Sequence, residues 1–124
     1  MIDFKNSAIL KLKKDATVTH ANDIAPLLVE GEVCISQFST VRDYVIFTNK
    51  RILTVNVQGV TGKKKDYSSI PYSKIQAFSI ETAGTLDLDS ELEIYVSGLG
   101  KVKIEISGKN DIAEIGKLIA DRVL

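Results

Sequence analysis

From Glu32 onward, side chains alternate at the period of a β-strand. Val33, Ile35 and Gln37 point one way, and Cys34, Ser36 and Phe38 the other. Strand-length stretches follow at Asp43–Thr48, Arg51–Val57, Lys64–Ile70, Lys74–Thr82, Glu91–Ser97 and Lys101–Ser107, with polar turns between them. Such closely spaced strands suit a β-sandwich or barrel. In the last two stretches Leu92, Ile94 and Val96 alternate with Glu91, Glu93 and Tyr95, while Val102, Ile104 and Ile106 alternate with Lys101, Lys103 and Glu105. Opposed residues share a face, so the apolar sets meet if Ser97 faces Lys101 and Gly98-Leu99-Gly100 forms the loop.

The pattern then changes to that of a helix. Ile112, Ile115, Ile119 and Val123 recur at spacings of three and four, and Asp111 with Glu114 forms a capping box, which predicts a helix over 111–123. Gly116 lies within the apolar stripe, where it permits close approach to a sheet. The helix is too apolar on one face to be left in water. Residues 1–31 are the least readable and are expected to form an extension packing on the rest, residues 32–124. Asn22-Asp23 ahead of Ile24, Leu27 and Leu28 is compatible with a short helix carrying Pro26 in its first turn and ended by Gly31, and equally with an irregular segment.

The central hairpin fixes a register. Asn49, which tolerates positive φ, and Lys50 make a two-residue turn that sets Thr48 opposite Arg51, Phe47 opposite Ile52, Ile46 opposite Leu53 and Tyr44 opposite Val55. One face then holds Tyr44, Ile46, Leu53, Val55 and Val57, which is expected to face the core. The other carries Val45, Phe47 and Ile52, an apolar patch that an isolated chain has little reason to expose. Two readings follow: the N-terminal segment with Leu27 and Leu28 covers the patch, or the patch is an oligomer interface.

Several ordered blocks resemble the signature of the bacterial pleckstrin-homology-like (PH-like) domain family. They are Asp43–Arg51, Gln58–Lys64, Ser69-Ile70-Pro71-Tyr72, Phe78–Gly84 and Leu86–Leu92. The resemblance implies a mainly β, PH-like barrel of about seven antiparallel strands in two packed sheets, capped by one C-terminal α-helix, which is also the order of elements that periodicity gives. Single-domain members of that family tend to form closed cyclic rings, five-membered, with a polar surface where strands of neighbouring subunits meet and proteins bind. The matching positions here are Arg42, Asp43, Asn49, Lys50, Arg51, Gln58 and Tyr72.

Composition narrows the chemistry. The 124 residues carry sixteen basic and sixteen acidic side chains, so the bulk attraction that a non-specific nucleic-acid or anionic-membrane binder needs is missing. No apolar run approaches the length of a spanning helix, and Asp3 with lysines after the first apolar segment is the reverse of a secretory signal, so a cytoplasmic location is expected. His20 and Cys34 are the sole histidine and cysteine. Neither a transition-metal cluster nor a catalytic triad is expected, and Cys34 reads as an inert thiol.

Gly59-Val60-Thr61-Gly62 before Lys63-Lys64-Lys65 is wrongly spaced for a phosphate-binding loop, and a strand rather than a helix follows it. Asp87, Asp89 and Glu91 alternate like calcium ligands, but Gly84 precedes them and the closing glutamate of such a loop is missing. The reading is therefore a non-catalytic protein-interaction and assembly module without cofactor or metal. The alternative is a membrane- or ligand-binding domain using Arg42 and Lys63, Lys64 and Lys65.

Overall fold

A computed structural model describes Met1, Phe4, residues 9–108 and residues 111–124. The sequence reading that rested on Asp3 lies outside these. The chain divides into two compact units, one built on Lys14–Pro71 and the other on Tyr72–Leu124 together with the N-terminal strand.

The first unit opens with helix α1 (Ala21–Ile24) and a 3-10 turn (Ala25–Leu27) that takes Pro26 in its first positions. An antiparallel meander follows: β2 (Cys34–Ser39), β3 (Tyr44–Thr48), β4 (Arg51–Gln58) and β5 (Lys64–Pro71). The β3–β4 register is the one the turn length dictates, with Tyr44 opposite Val55, Ile46 opposite Leu53 and Phe47 opposite Ile52. The turn is made differently. Lys11 is the one described non-glycine residue with positive φ, so Asn49 is not in the left-handed region. Instead the Thr48 hydroxyl accepts hydrogen bonds from the Lys50 and Arg51 N–H groups at 3.1 and 3.0 Å, folding the chain back by a side-chain turn.

Strand β3 is buried along its whole length. On one face Tyr44, Ile46, Leu53 and Val55 surround Ile24 of α1, with Val18, Leu28, Cys34 and Tyr67 packed around them. On the other, Val45, Phe47 and Ile52 are only 1%, 0% and 0% exposed, and Phe47 meets Phe38 edge-on at 5.7 Å between ring centroids. This corrects the expectation that these three residues form an oligomer interface. The hairpin is apolar on both faces because both are core. The N-terminal segment also covers the opposite face from the one proposed for it: Leu28 packs on the Tyr44 side, and Leu27 is largely exposed.

In the second unit β6 (Ile75–Glu81), β7 (Asp89–Val96) and β8 (Gly100–Ser107) form antiparallel pairs. Strand β1 (Ile9–Lys14) runs parallel to β8, with Ile9 opposite Ile104, Leu12 opposite Ile106 and an irregularity between them where Lys11 adopts φ 53°. The β7–β8 loop has three residues as expected but is set one position earlier: Val96 faces Gly100 and Leu92 faces Ile104. Gly98, at φ 80°, takes the left-handed position in that turn. The shift moves each partner by two residues, so the same apolar sets still meet.

Helix α2 (Ile112–Val123) packs on β6 and β7 and buries Ile112, Ile115, Gly116, Leu118 and Ile119. Asp111 occupies the N-cap position, yet its side chain makes no capping hydrogen bond. Gly116 does what its place in the stripe implies: a Cβ there would lie 3.1 Å from Cδ1 and 3.2 Å from Cγ2 of Ile80. Among the described residues no helix is long and apolar enough to cross a membrane.

Candidate functional site: the hairpin ends and the outer face of the β6–β8 sheet

Arg51 leaves the start of β4 and takes the Glu32 carboxylate in a two-pronged contact, Nε to Oε2 at 2.9 Å and Nη2 to Oε1 at 3.0 Å. The same guanidinium donates to the Leu27 carbonyl at 2.7 Å and to Ser69 Oγ at 3.0 Å. Glu32, whose side chain is 1% exposed, also accepts from the Val29 N–H and the Thr48 hydroxyl. Burial alone would raise its carboxyl, but the bonds from Arg51, Val29 and Thr48 outweigh burial and hold it below the ordinary value. Asn49 completes the assembly. Its side chain accepts from the Val33 N–H at 2.8 Å and donates to the Gly31 carbonyl at 3.0 Å, locking residues 31–33 onto the hairpin tip.

The other expected partner-binding positions are scattered. Arg42 and Asp43 lie at the far end of the same hairpin, where Arg42 Nη2 donates to the Gly59 carbonyl and Asp43 accepts from the Val57 N–H at 2.9 Å and from Asn56 Nδ2 at 3.3 Å. Gln58 joins them through Asn56 at 3.2 Å. Lys50 is exposed at the tip, whereas Tyr72 is 3% exposed and belongs to the interior of the second unit. Arg42, Asp43 and Gln58 thus form one cluster, and Asn49, Lys50 and Arg51 another at the opposite end of β3–β4. Asn49 and Arg51 are engaged in holding their own chain. Sequence reasoning missed Glu32, because nothing local marks an acid whose partner lies nineteen residues on.

The basic stretch sits at the Arg42 end. Lys63 and Lys64 are exposed and Lys65 half-buried, with Gln58 opposite Lys64 and Val57 opposite Lys65. Val41 and Val60 stand fully in solvent on the two loops that the Arg42–Gly59 bond joins. His20 stacks flat on Tyr44 with centroids 3.9 Å apart, while its Nδ1 contacts Asp23 Oδ2 at 2.9 Å. Burial and the nearby Glu32 charge push the Cys34 thiol up, the opposite of what an activated nucleophile requires. Among the described residues no three His, Cys, Asp or Glu side chains are grouped to hold a metal ion.

The outer face of the β6–β8 sheet has a character of its own. Three glutamates stand in one cross-strand row, Glu81 opposite Glu91 and Glu91 opposite Glu105. Lys103 reaches Glu91 at 3.5 Å and Glu93 at 3.7 Å, and Lys101 reaches Glu93 at 3.6 Å. Burial, followed by the neighbouring Glu93, raises the Glu91 carboxyl; burial, followed by Asp89, raises that of Glu105, while Lys11 opposes this shift. Beside this row a groove of about 180 Å³ is lined by Ala77, Phe78, Ser79, Glu93, Ile94, Tyr95 and Lys101. The sequence showed the acids of 81–91 as one run. Their alignment with Glu105 depends on the strand register.

The family model described as Bacterial PH domain matches residues 3–123. The chain is 44% identical to the uncharacterized protein YjqA of Bacillus subtilis over 107 residues, covering 85% of this chain and 86% of that one. It is 33% identical to the uncharacterized protein YozO of the same organism, covering 78% and 83%. Among solved structures, a protein with a pleckstrin-homology domain from Shewanella loihica superposes with a TM-score of 0.76 at 36% identity, covering 92% of this chain and 98% of that one. A pleckstrin homology domain from Shewanella amazonensis gives 0.69 at 37% identity, covering 96% and 93%.

Proposed function

Because the chain belongs to the bacterial PH domain family, with its mainly β PH-like fold and C-terminal helix, we propose that it is a non-catalytic protein-interaction and assembly module. In this reading it closes into a cyclic homo-oligomer, five-membered as the family resemblance implies, and presents a polar surface to a protein partner. The observation that supports a subunit contact is the β6–β7 connection, where Leu86 is 100% and Leu88 54% exposed, close in sequence to the 40%-exposed Ile80. Burying such residues against a neighbouring copy removes apolar surface from water. A head-to-tail contact whose rotation closes gives a ring. Of the expected polar surface, Arg42 and Lys50 are exposed, Asp43 and Gln58 are half-buried beside Arg42, and Asn49 and Arg51 are half-buried beside Lys50. Light scattering coupled to gel filtration tests the assembly. A ring requires a wild type several times the protomer mass, and Leu86→Asp with Leu88→Asp should return it to the protomer; a monomeric wild type ends the proposal.

A second reading is favoured by Val41 and Val60, two fully exposed apolar side chains on adjoining loops backed by Arg42, Lys63 and Lys64. That arrangement suits an anionic lipid surface. Pelleting with anionic vesicles across a salt series separates the two readings, since contact through these lysines weakens as salt rises.

A further inference from the structure

We infer that the free edge of β6 is a docking site for an extended segment of a partner protein that carries a lysine or arginine and an apolar residue four positions apart. The inference rests on the reading of the chain as a protein-binding module and is independent of ring closure. Its first support is the edge itself. Among the described residues β6 pairs with β7 alone, and most of its side chains are exposed. An unpaired strand presents a row of backbone donors and acceptors, and chains normally guard such an edge with lysines or proline. The contrast within this chain is direct: β5, the terminal strand of the other unit, carries Lys64, Lys65, Asp66 and Pro71, whereas Ile75–Glu81 contains neither lysine nor proline.

The second support is shape. Ala77 and Ser79 are small and stand beside Tyr95 and Glu93 of β7, which leaves the groove of about 180 Å³ along the edge. Tyr95 is 52% exposed, so one side of the hollow is an aromatic face that an incoming apolar side chain can cover. The third is charge. On the same face Glu81, Glu91, Glu93 and Glu105 outnumber Lys101 and Lys103, and Glu81 ends the row at the free edge, directly opposite another glutamate. Side chains two residues apart share a face, so Ala77 and Glu81 are spaced about 13 Å along the strand. An added strand meets them with residues four apart, the apolar one over Ala77 and the basic one at Glu81. A second copy pairing through its own β6 brings no basic residue to Glu81, and one pairing through β5 sets only Ser68 or Ser69 four positions from Lys64 or Lys65, so the occupant is a partner protein that supplies both the charge and the apolar side chain.

The test uses the full chain and a labelled synthetic peptide of alternating threonines, whose intervening positions are lysine, serine and leucine in that order. Anisotropy should show saturable binding that weakens with salt, and amide shifts of the isotopically labelled protein should concentrate on residues 75–81. Replacing the peptide lysine by glutamate should weaken binding about tenfold, and Glu81→Lys should restore the glutamate peptide. A peptide N-methylated at alternate residues should not bind, because the backbone bonds are then removed. Shifts centred elsewhere, indifference of Glu81→Lys to the peptide charge, or no binding by the wild type would overturn the inference. So would β6 amides already protected from hydrogen exchange in a wild-type oligomer, since a second copy would then hold the edge. A monomer that binds the peptide removes the ring and leaves the docking edge; a ring that ignores the peptide does the reverse.

Discussion

Arg51 meets Glu32 side-on, with Nε 2.9 Å from one carboxylate oxygen and Nη2 3.0 Å from the other. The planar fork reaches both oxygens and still has N–H groups for Leu27 and Ser69, which an ammonium on a flexible stem cannot match. Arg51→Met should therefore cost about 3–5 kcal/mol in chemical denaturation, because Glu32 is left buried without its partner. Arg51→Lys should recover only part of that loss.

The same pair sets a dependence on acid. Glu32 ionises more readily folded than unfolded, so its contribution is present above the unfolded value of about 4.3 and lost as pH falls through the lower folded value. Glu32→Gln should be less stable than wild type at neutral pH, with the gap narrowing in acid. A gap that is constant with pH, measured by denaturation midpoints, would contradict this.

Glu91 carries the opposite sign. Burial and Glu93 raise its folded value, so its ionisation opposes folding: stability is full below the unfolded value and declines as pH rises through the folded one. Glu91→Gln removes a charge from the Glu81–Glu91–Glu105 row and should stabilise the chain at pH 7 by about 0.2–1 kcal/mol. The gain should vanish near pH 3, and thermal melts at the two pH values check it.

Phe47 belongs to the interior, edge-on to Phe38 and without solvent exposure. Phe47→Ala should cost about 3–5 kcal/mol. Phe47→Glu should give an unfolded chain rather than a folded protomer, and circular dichroism distinguishes the two outcomes.

At Gly116 two effects compete. Alanine gains about 1 kcal/mol of helix propensity, while its Cβ would crowd Ile80 at 3.1–3.2 Å. Ile80 is 40% exposed and can turn aside, so Gly116→Ala should fall within about 1 kcal/mol of wild type. Gly116→Leu cannot be accommodated in this way and should cost about 1–3 kcal/mol.

These residues also show where the sequence could be read and where it could not. Turn length fixed the β3–β4 register, and strand period with a helical stripe gave the order of elements from Cys34 to Val123. Period alone does not say which face of a strand is buried when both are apolar. Tyr44–Thr48 is covered on both sides, so the assignment of Val45, Phe47 and Ile52 to a surface failed. Strand β1 escaped notice because its parallel partner, β8, lies some ninety residues on and no local turn announces the pairing. Asn49 and Arg51 were marked through the family resemblance, and their contacts with Gly31, Val33 and Glu32 could not be read locally because only the tertiary fold brings those partners to them.

Residues 15–33 cross the Tyr44–Ile46–Leu53–Val55 face as a strap with two buckles. At one end Gln37, 1% exposed, takes Asp15 and Thr19 with its amide nitrogen and the His20 N–H with its oxygen. At the other, Asn49 and Arg51 hold residues 27–33. None of these bonds belongs to the β3–β4 or β4–β5 ladders, so the strap can lift while the hairpins keep their pairing. Ile24, fully buried between the buckles, is what this crossing gives to the core, so withdrawing it would uncover Tyr44 without breaking a strand pair.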